Sequence, residues 1–340
     1  MPTKNTIKTI EKVSHMTHKE KPPVTEEVLA DEVTEGLQSE SEKLPNKILR
    51  YSRARERALL ILDEVTQQYH QTGNPYFSKI SDKLNSCGNY LSFRHYYTVD
   101  KVRLHAASFC KKHLFCPLCA IRRASKQLSS YMQRYKAIMS ENPSLVPVMI
   151  TLTVKNGDDL LERYDHLVKS VQVLNRKRTR ARTGSRDKTE FSKIEASVGS
   201  YEFTNKGKGW HPHVHIAALV TAHIDQQALS AEWKKATGDS FIVDVRPIGQ
   251  IQEPIKGFLE VFKYALKFSD LTSEQQVQAA VTLDARRLLF STGLFRGTQV
   301  PESLIDEPLE GLPYIQLFYK YLQGIGYTLD PEKSTKSNNI

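Results

Sequence analysis

The sequence predicts an α+β fold: a small, mostly helical module followed by an antiparallel sheet with helices packed on it. Three observations carry this. Runs at 146–154, 196–204 and 211–220 have the length of strands, the first of them β-branched and partly alternating, and the turn-rich Asn205-Lys-Gly-Lys-Gly-Trp210 joins the last two. Segments with apolar residues at helical spacing flank and separate them, at 48–71, 158–174, 226–237 and 254–268. All four cysteines, Cys87, Cys110, Cys116 and Cys119, fall ahead of the strands.

The chain has 340 residues, enough for two modest domains with cores of their own. Its 39% hydrophobic and 25% charged residues are usual for a globular protein. No apolar run approaches ~20 residues, and Met1-Pro-Thr-Lys-Asn5 has no apolar signal core. A membrane partner is therefore not expected, and a cytoplasmic location is. The formal net charge of +10 points to a polyanionic partner. Residues 1–47 do not share that charge: they carry 7 Lys against 9 Asp or Glu and no aromatic residue, and read as a disordered tail.

Ile48 to about Gln71 is an amphipathic helix, with a second short element over Phe77–Asn85. The cysteines follow. Cys116-Pro-Leu-Cys119 has the two-residue spacing that lets neighbouring thiolates bind one tetrahedral zinc. Cys110 and Cys87 complete a four-cysteine set, with His105 and His113 as substitutes for Cys87. With no secretion signal, a disulfide framework is disfavoured. From Cys119 a helix runs to about Ser140, and its Arg122, Arg123 and Lys126 are either phosphate contacts or a solvated face.

The second part opens with the strand Val146–Val154 and a helix over Asp158–Leu174. Asn175–Lys188 contains Arg176, Lys177, Arg178, Arg180 and Arg182 without apolar periodicity, and reads as a basic loop suited to the DNA backbone. Next comes Gly209-Trp-His-Pro-His-Val-His-Ile-Ala-Ala-Leu-Val220. On a strand, His211, His213 and His215 project to one face, a ready metal site. A hairpin with Thr204 opposite His211 puts Glu202 opposite His213 on that face. Such a mixed N/O set suits Mg2+, Mn2+ or Zn2+. After a helix over Gln226–Thr237 and a strand over Phe241–Pro247, the helix Pro254–Phe268 lines up Glu260, Lys263, Tyr264 and Lys267. A carboxylate, a phenol and ammonium groups on one face can serve proton transfer, attack and charge stabilisation. They are also commonplace on an exposed helix.

Taken in order, these segments resemble a known family. Ile150-Thr-Leu-Thr153, the histidine strand and Glu260-Val-Phe-Lys-Tyr-Ala-Leu-Lys267 follow Phe109-Cys-Lys-Lys-His-Leu-Phe-Cys-Pro-Leu-Cys-Ala-Ile-Arg-Arg-Ala124. The pattern is similar to the rolling-circle replication initiators of small bacterial plasmids, within the HUH endonuclease superfamily. The nearest branch has one tyrosine with an accompanying glutamate. The resemblance covers roughly residues 80–300.

The resemblance implies an HUH-type central antiparallel sheet over 145–300, with the Tyr264 helix laid across the site. A helical, four-cysteine zinc module occupies 48–140, and a C-terminal helical extension and tail occupies 301–340. It implies metal-dependent, site- and strand-specific nicking and rejoining of plasmid origin DNA. Tyr264 would be the nucleophile, Glu260 the acid/base residue and Lys267 the lysine near the scissile phosphate. His213 and His215 would be the metal ligands for Mn2+ or Mg2+, with Glu202 completing the shell and His211 an added histidine. Zn2+ would be structural. Lys263 and the basic residues above would contact DNA, and host helicase and replication machinery would be partners. Two alternatives stay open: a related single-strand transposase or relaxase, and a non-enzymatic zinc-containing DNA-binding protein.

Overall fold

The computed structural model describes residues 43–184, 188–248, 254–262 and 270–335. The chain divides into two compact units, Met1–Arg122 with Glu302–Ile340, and Arg123–Pro301. Among the described residues, no helix is long and apolar enough to cross a membrane.

The first unit begins with helix α1 (Leu44–Thr72). Ile48, Tyr51, Ala58, Ile61 and Val65 form its buried stripe at steps of three, four and seven. Gly73 ends it in the left-handed conformation (φ 64°), its N–H donating to Tyr69 O. Helix α2 (Pro75–Ser86) starts from an Asn74 cap that accepts from Tyr76 N. Strands β1 (Tyr90–Tyr96) and β2 (Lys101–Ala107) then pair antiparallel. Helix α3 (Pro117–Glu141) opens in this unit.

The second unit takes the rest of α3, then strand β3 (Val146–Thr153), helix α4 (Leu160–Arg182), a short 3-10 turn (Glu190–Lys193) and strands β4 (Ile194–Thr204) and β5 (His211–Val220). Helix α5 (Gln226–Thr237), strand β6 (Val243–Pro247), helices α6 (Pro254–Phe262) and α7 (Ser273–Thr282) and strand β7 (Leu289–Gly293) follow. The sheet order is β6-β3-β5-β4-β7, antiparallel throughout, with the histidine strand β5 in the middle. Tyr164 of α4 packs on Tyr201 and Phe203, so α4 covers the face opposite Glu202. α6 packs against β3, β4 and β5, and Phe258 and Phe262 join Tyr131, Tyr135 and Phe295 in an aromatic core.

The α+β class holds, with three corrections. The first module is largely helical over 48–140, as expected, but it also carries a sheet. Strands β8 (Ile315–Leu322) and β9 (Gly326–Leu329) return to it and complete a four-stranded sheet, β2-β1-β8-β9. The expected C-terminal helices are thus strands: the aromatic-rich Ile315-Gln-Leu-Phe-Tyr-Lys-Tyr-Leu322 alternates with period two, and β1 lies ready to pair with it. The expected basic loop from Asn175 is helical to Arg182. The buried stripe Leu167, Val171, Leu174 runs on to Arg178, and cations suit a helix C-terminus. Lys47 and the three residues before it belong to α1 rather than to the tail, whose residues 1–42 lie outside the described ones.

Candidate metal centres and active site

β4 and β5 are joined by a six-residue connection that sets their register: Thr204 opposes His211, Glu202 opposes His213 and Ser200 opposes His215. β3 flanks the other side, with Thr151 opposite His215 and Thr153 opposite His213. Strand alternation therefore brings Glu202, His213 and His215 together, and their ligand atoms lie within 4.8 Å of one another. Glu202 is only 2% exposed and His213 8%.

Distances identify what this cluster is built for. His213 Nε2 lies 3.4 Å from Glu202 Oε1, and His215 Nε2 lies 3.3 Å from Oε2. A charge-assisted hydrogen bond would draw such atoms to about 2.7–2.9 Å. A tetrahedron with bonds of about 2.0–2.1 Å has edges of about 3.3–3.4 Å. The His213 Nδ1 atom is buried with no hydrogen-bond partner among the described residues. Two imidazoles and a carboxylate converging at coordination spacing fit a divalent cation.

Two residues not singled out as functional in the sequence orient the imidazoles. Thr151 Oγ1 lies 3.1 Å from His215 Nδ1, and a proton on Nδ1 leaves the Nε2 lone pair toward Glu202. Thr151 was legible only as part of the first strand motif. Asn156 Oδ1 lies 2.7 Å from His211 Nδ1 and accepts a hydrogen bond from it. Asn156 follows β3 with no signal of its own. His211 stands beside His213, ring centroids 5.5 Å apart, but outside the three-residue cluster.

Glu260 is half-buried on α6, between the buried Leu259 and Val261. Tyr264, Lys263 and Lys267 lie outside the described residues.

The four cysteines gather in the first unit. Cys87 Sγ is 3.6 Å from the sulfurs of Cys116 and Cys119, and Cys110 Sγ is 3.5 Å from Cys119. A disulfide would need about 2.05 Å, whereas tetrahedral zinc with bonds of about 2.3 Å gives sulfur–sulfur edges of about 3.8 Å. Hydrogen bonds from Cys110, Cys116 and Cys119 push the Cys87 thiol well down, while Cys116 and Cys119 are driven up by contact with Cys110 and by burial. Four crowded thiols cannot all ionise unaided, and a divalent cation resolves that conflict. The frame is specific. Arg55 donates to Leu84 O, Asn85 O and Asn89 Oδ1, fixing the chain on either side of Cys87. At Gly88 (φ 71°) a Cβ would meet Leu118 Cδ2 at 2.6 Å and the Tyr327 hydroxyl at 2.7 Å, so only glycine fits. His105 and His113 are not part of the cluster.

The expected DNA-contacting cations separate into two sets. Arg122 is a correction: it is buried, donates to Leu304 O and Tyr51, and pairs with Asp306 at 2.6 Å. Burial alone would lower its pKa, but Tyr51 and Asp306 hold it above the ordinary value. Arg178 is also a correction, because its buried guanidinium donates to Ile194 O and Glu195 O. Arg182 pairs with Glu195. Arg123, Arg176 and Arg180 are exposed, and Lys126 and Lys177 half-buried.

A family model described as "Replication protein" matches residues 101–311. A "Protein rep" of a Bacillus species is 28% identical over 267 residues, covering 66% of this chain and 81% of the relative. The "Protein rep" of Staphylococcus aureus is 30% identical over 205 residues, or 56% of this chain and 82% of the relative. That of Bacillus amyloliquefaciens is 25% identical over 269 residues, 74% and 72% of the two chains. No solved structure matches. The matched span contains Cys110, Cys116 and Cys119 and the whole Glu202–His213–His215 cluster, and the chain belongs to this replication-protein family, the rolling-circle initiators.

Proposed function

We propose that this initiator nicks and rejoins one strand of its plasmid origin by tyrosine transesterification. The observation that carries the reading is the Glu202–His213–His215 set at coordination spacing, on strands against which the Glu260 helix packs. Glu202, His213 and His215 would hold Mn2+ or Mg2+. A cation held by these residues would supply Lewis-acid stabilisation of the charge that develops on the scissile phosphate.

The reaction balances on this chain's own residues. The Tyr264 oxygen attacks phosphorus and the P–O3′ bond breaks. The leaving oxygen takes a proton, giving a 3′-OH primer and a phosphotyrosine on the 5′ end. Lys267 favours the phenolate, whose proton otherwise leaves near pH ~10. Glu260 then serves as base for the water that ends the cycle, a device a one-tyrosine site needs to cut twice. Arg176, Lys177, Arg180, Arg123, Lys126 and Lys263 hold the DNA backbone. The domains divide accordingly: the four-cysteine unit binds structural zinc, and the five-stranded unit carries the nuclease. Host helicase and polymerase act on the primed origin.

One experiment tests the reading. The full chain is incubated with Mn2+ and an origin oligonucleotide, and adducts are resolved on a denaturing gel. Wild type should form a covalent adduct mapping to Tyr264, Tyr264→Phe should form none, and Glu260→Gln should form it but fail to release it by hydrolysis. An adduct in Tyr264→Phe refutes the tyrosine assignment, and intact hydrolytic release in Glu260→Gln refutes the glutamate's.

A further inference from the structure

The sheet of the first unit has a face that the nuclease chemistry does not use. Side chains directly opposite one another on paired strands share a face. On this one, Arg94 of β1 opposes Arg103 of β2, Ser92 opposes Phe318 of β8, and Tyr90 opposes Lys320, which in turn opposes Thr328 of β9. The opposite face is the core, where Leu91, Phe93, Leu104 and Tyr319 are almost wholly buried.

The chemistry of the outer face is distinctive. The Tyr90 and Phe318 rings are nearly parallel, 11° apart with centroids 5.3 Å apart, and both are half-buried. Lys333 places its ammonium 5.1 Å from the Phe318 ring centre. Lys320 and Lys333 are exposed. Arg94 and Arg103 stand directly opposite each other, the Arg94 guanidinium lying 4.3 Å from the Tyr314 ring centre and 3.2 Å from His105 Nε2.

We propose that this face is a binding platform for single-stranded DNA. Parallel aromatic rings offer a π surface on which an unpaired base extends the stack, and the flanking cations follow a phosphate chain. In a duplex the bases are already stacked on each other, so rings on a sheet face have nothing to engage. Charge complementarity selects a polyanion, and the rings select an unstacked one. Cys87 lies three residues before Tyr90, so the cysteine cluster anchors the strand that begins the platform. The choice of DNA rests on the family's role in replication. The platform itself does not depend on Tyr264 or on the Glu202 cluster.

The test uses the full chain carrying Tyr264→Phe, so that cleavage cannot contribute, and a fluorescent dT20 oligonucleotide that lacks any origin sequence. Anisotropy should show dT20 bound more tightly than a random 20-bp duplex and than rU20. Tyr90→Ala and Phe318→Ala should each weaken dT20 binding by about fivefold or more, the lower bound for one base–aromatic stack. Lys320→Ala and Lys333→Ala should each make the plot of log K against log [salt] shallower by ~0.7, one phosphate contact on a single strand. Circular dichroism and zinc content confirm that each variant is folded. Wild-type binding by the two aromatic variants, salt slopes unchanged in both lysine variants, or a preference for duplex or RNA would each overturn the proposal. Loss of the Tyr264 adduct chemistry alone would leave it standing.

Discussion

At the scale of single residues, the face shared by Glu202, His213 and His215 was legible because a strand has only two faces. Three histidines at alternate positions must point together, and the short turn before them sets which carboxylate stands opposite. The residues that orient the imidazoles were not legible, since Thr151 and Asn156 act through contacts 64 and 55 positions away. Arg122 was misread for the same reason: its carboxylate, Asp306, lies 184 residues further on. Thr151 permits a test that leaves the ligands themselves untouched. Thr151→Val keeps the side-chain shape but removes the oxygen that orients His215. Loss of such an outer contact weakens metal binding by about 10- to 100-fold. Mn2+ titration followed by electron paramagnetic resonance should show that loss, with His215→Ala weaker still. A Thr151→Val affinity within twofold of wild type would mean that the hydroxyl does not position the ring.

At the scale of elements, the helices and the strands around the histidines were read more surely than the strands of the first unit. The α5 bounds match the expected Gln226–Thr237, because the Asp225 cap at one end and left-handed Gly238 at the other leave little latitude around its buried Leu229 and Trp233. β1 and β2 went unread, since their burial alternates poorly and β1 pairs with a strand more than 200 residues later. β7 closes the five-stranded sheet by a device that sequence alone does not disclose. Gly293 pairs with Ala196 at φ 58°, and a Cβ there would fall 1.7 Å from Glu195 O. A side chain at this position meets both a left-handed backbone and a backbone oxygen that cannot swing aside. Gly293→Ala should therefore destabilise the second unit by at least about 2 kcal/mol, beyond the usual range for a surface change. Urea unfolding followed by Trp210 and Trp233 fluorescence measures it, both indoles being buried in that unit. A shift under about 0.5 kcal/mol would show that β7 can detach from β4 at little cost.

At the scale of the whole molecule, two donor sets of different chemistry sit in different units. Four sulfurs lie in the first unit, and two nitrogens with a carboxylate lie in the second. Thiolates select zinc, whereas a His–carboxylate set with substrate nearby accepts harder ions such as Mn2+ or Mg2+. The sulfur cluster joins Cys87, between α2 and β1, to Cys116 and Cys119 at the start of α3, so an ion bound there would tie together segments that share no strand pairing. Its removal should loosen the first unit and spare the second, because metal binding free energy is folding free energy only for the structure that forms the site. The purified chain should carry one zinc that survives dialysis against a weak chelator. Cys116→Ser with Cys119→Ser should lose it and split unfolding into two transitions, the lower one reported by circular dichroism without tryptophan change, since Trp210 and Trp233 both lie in the second unit. Mn2+ binding to Glu202, His213 and His215 should persist in that variant below the first transition. Zinc retained without the two cysteines would refute the four-sulfur site, and Mn2+ affinity lost along with zinc would show that the two centres do not fold independently.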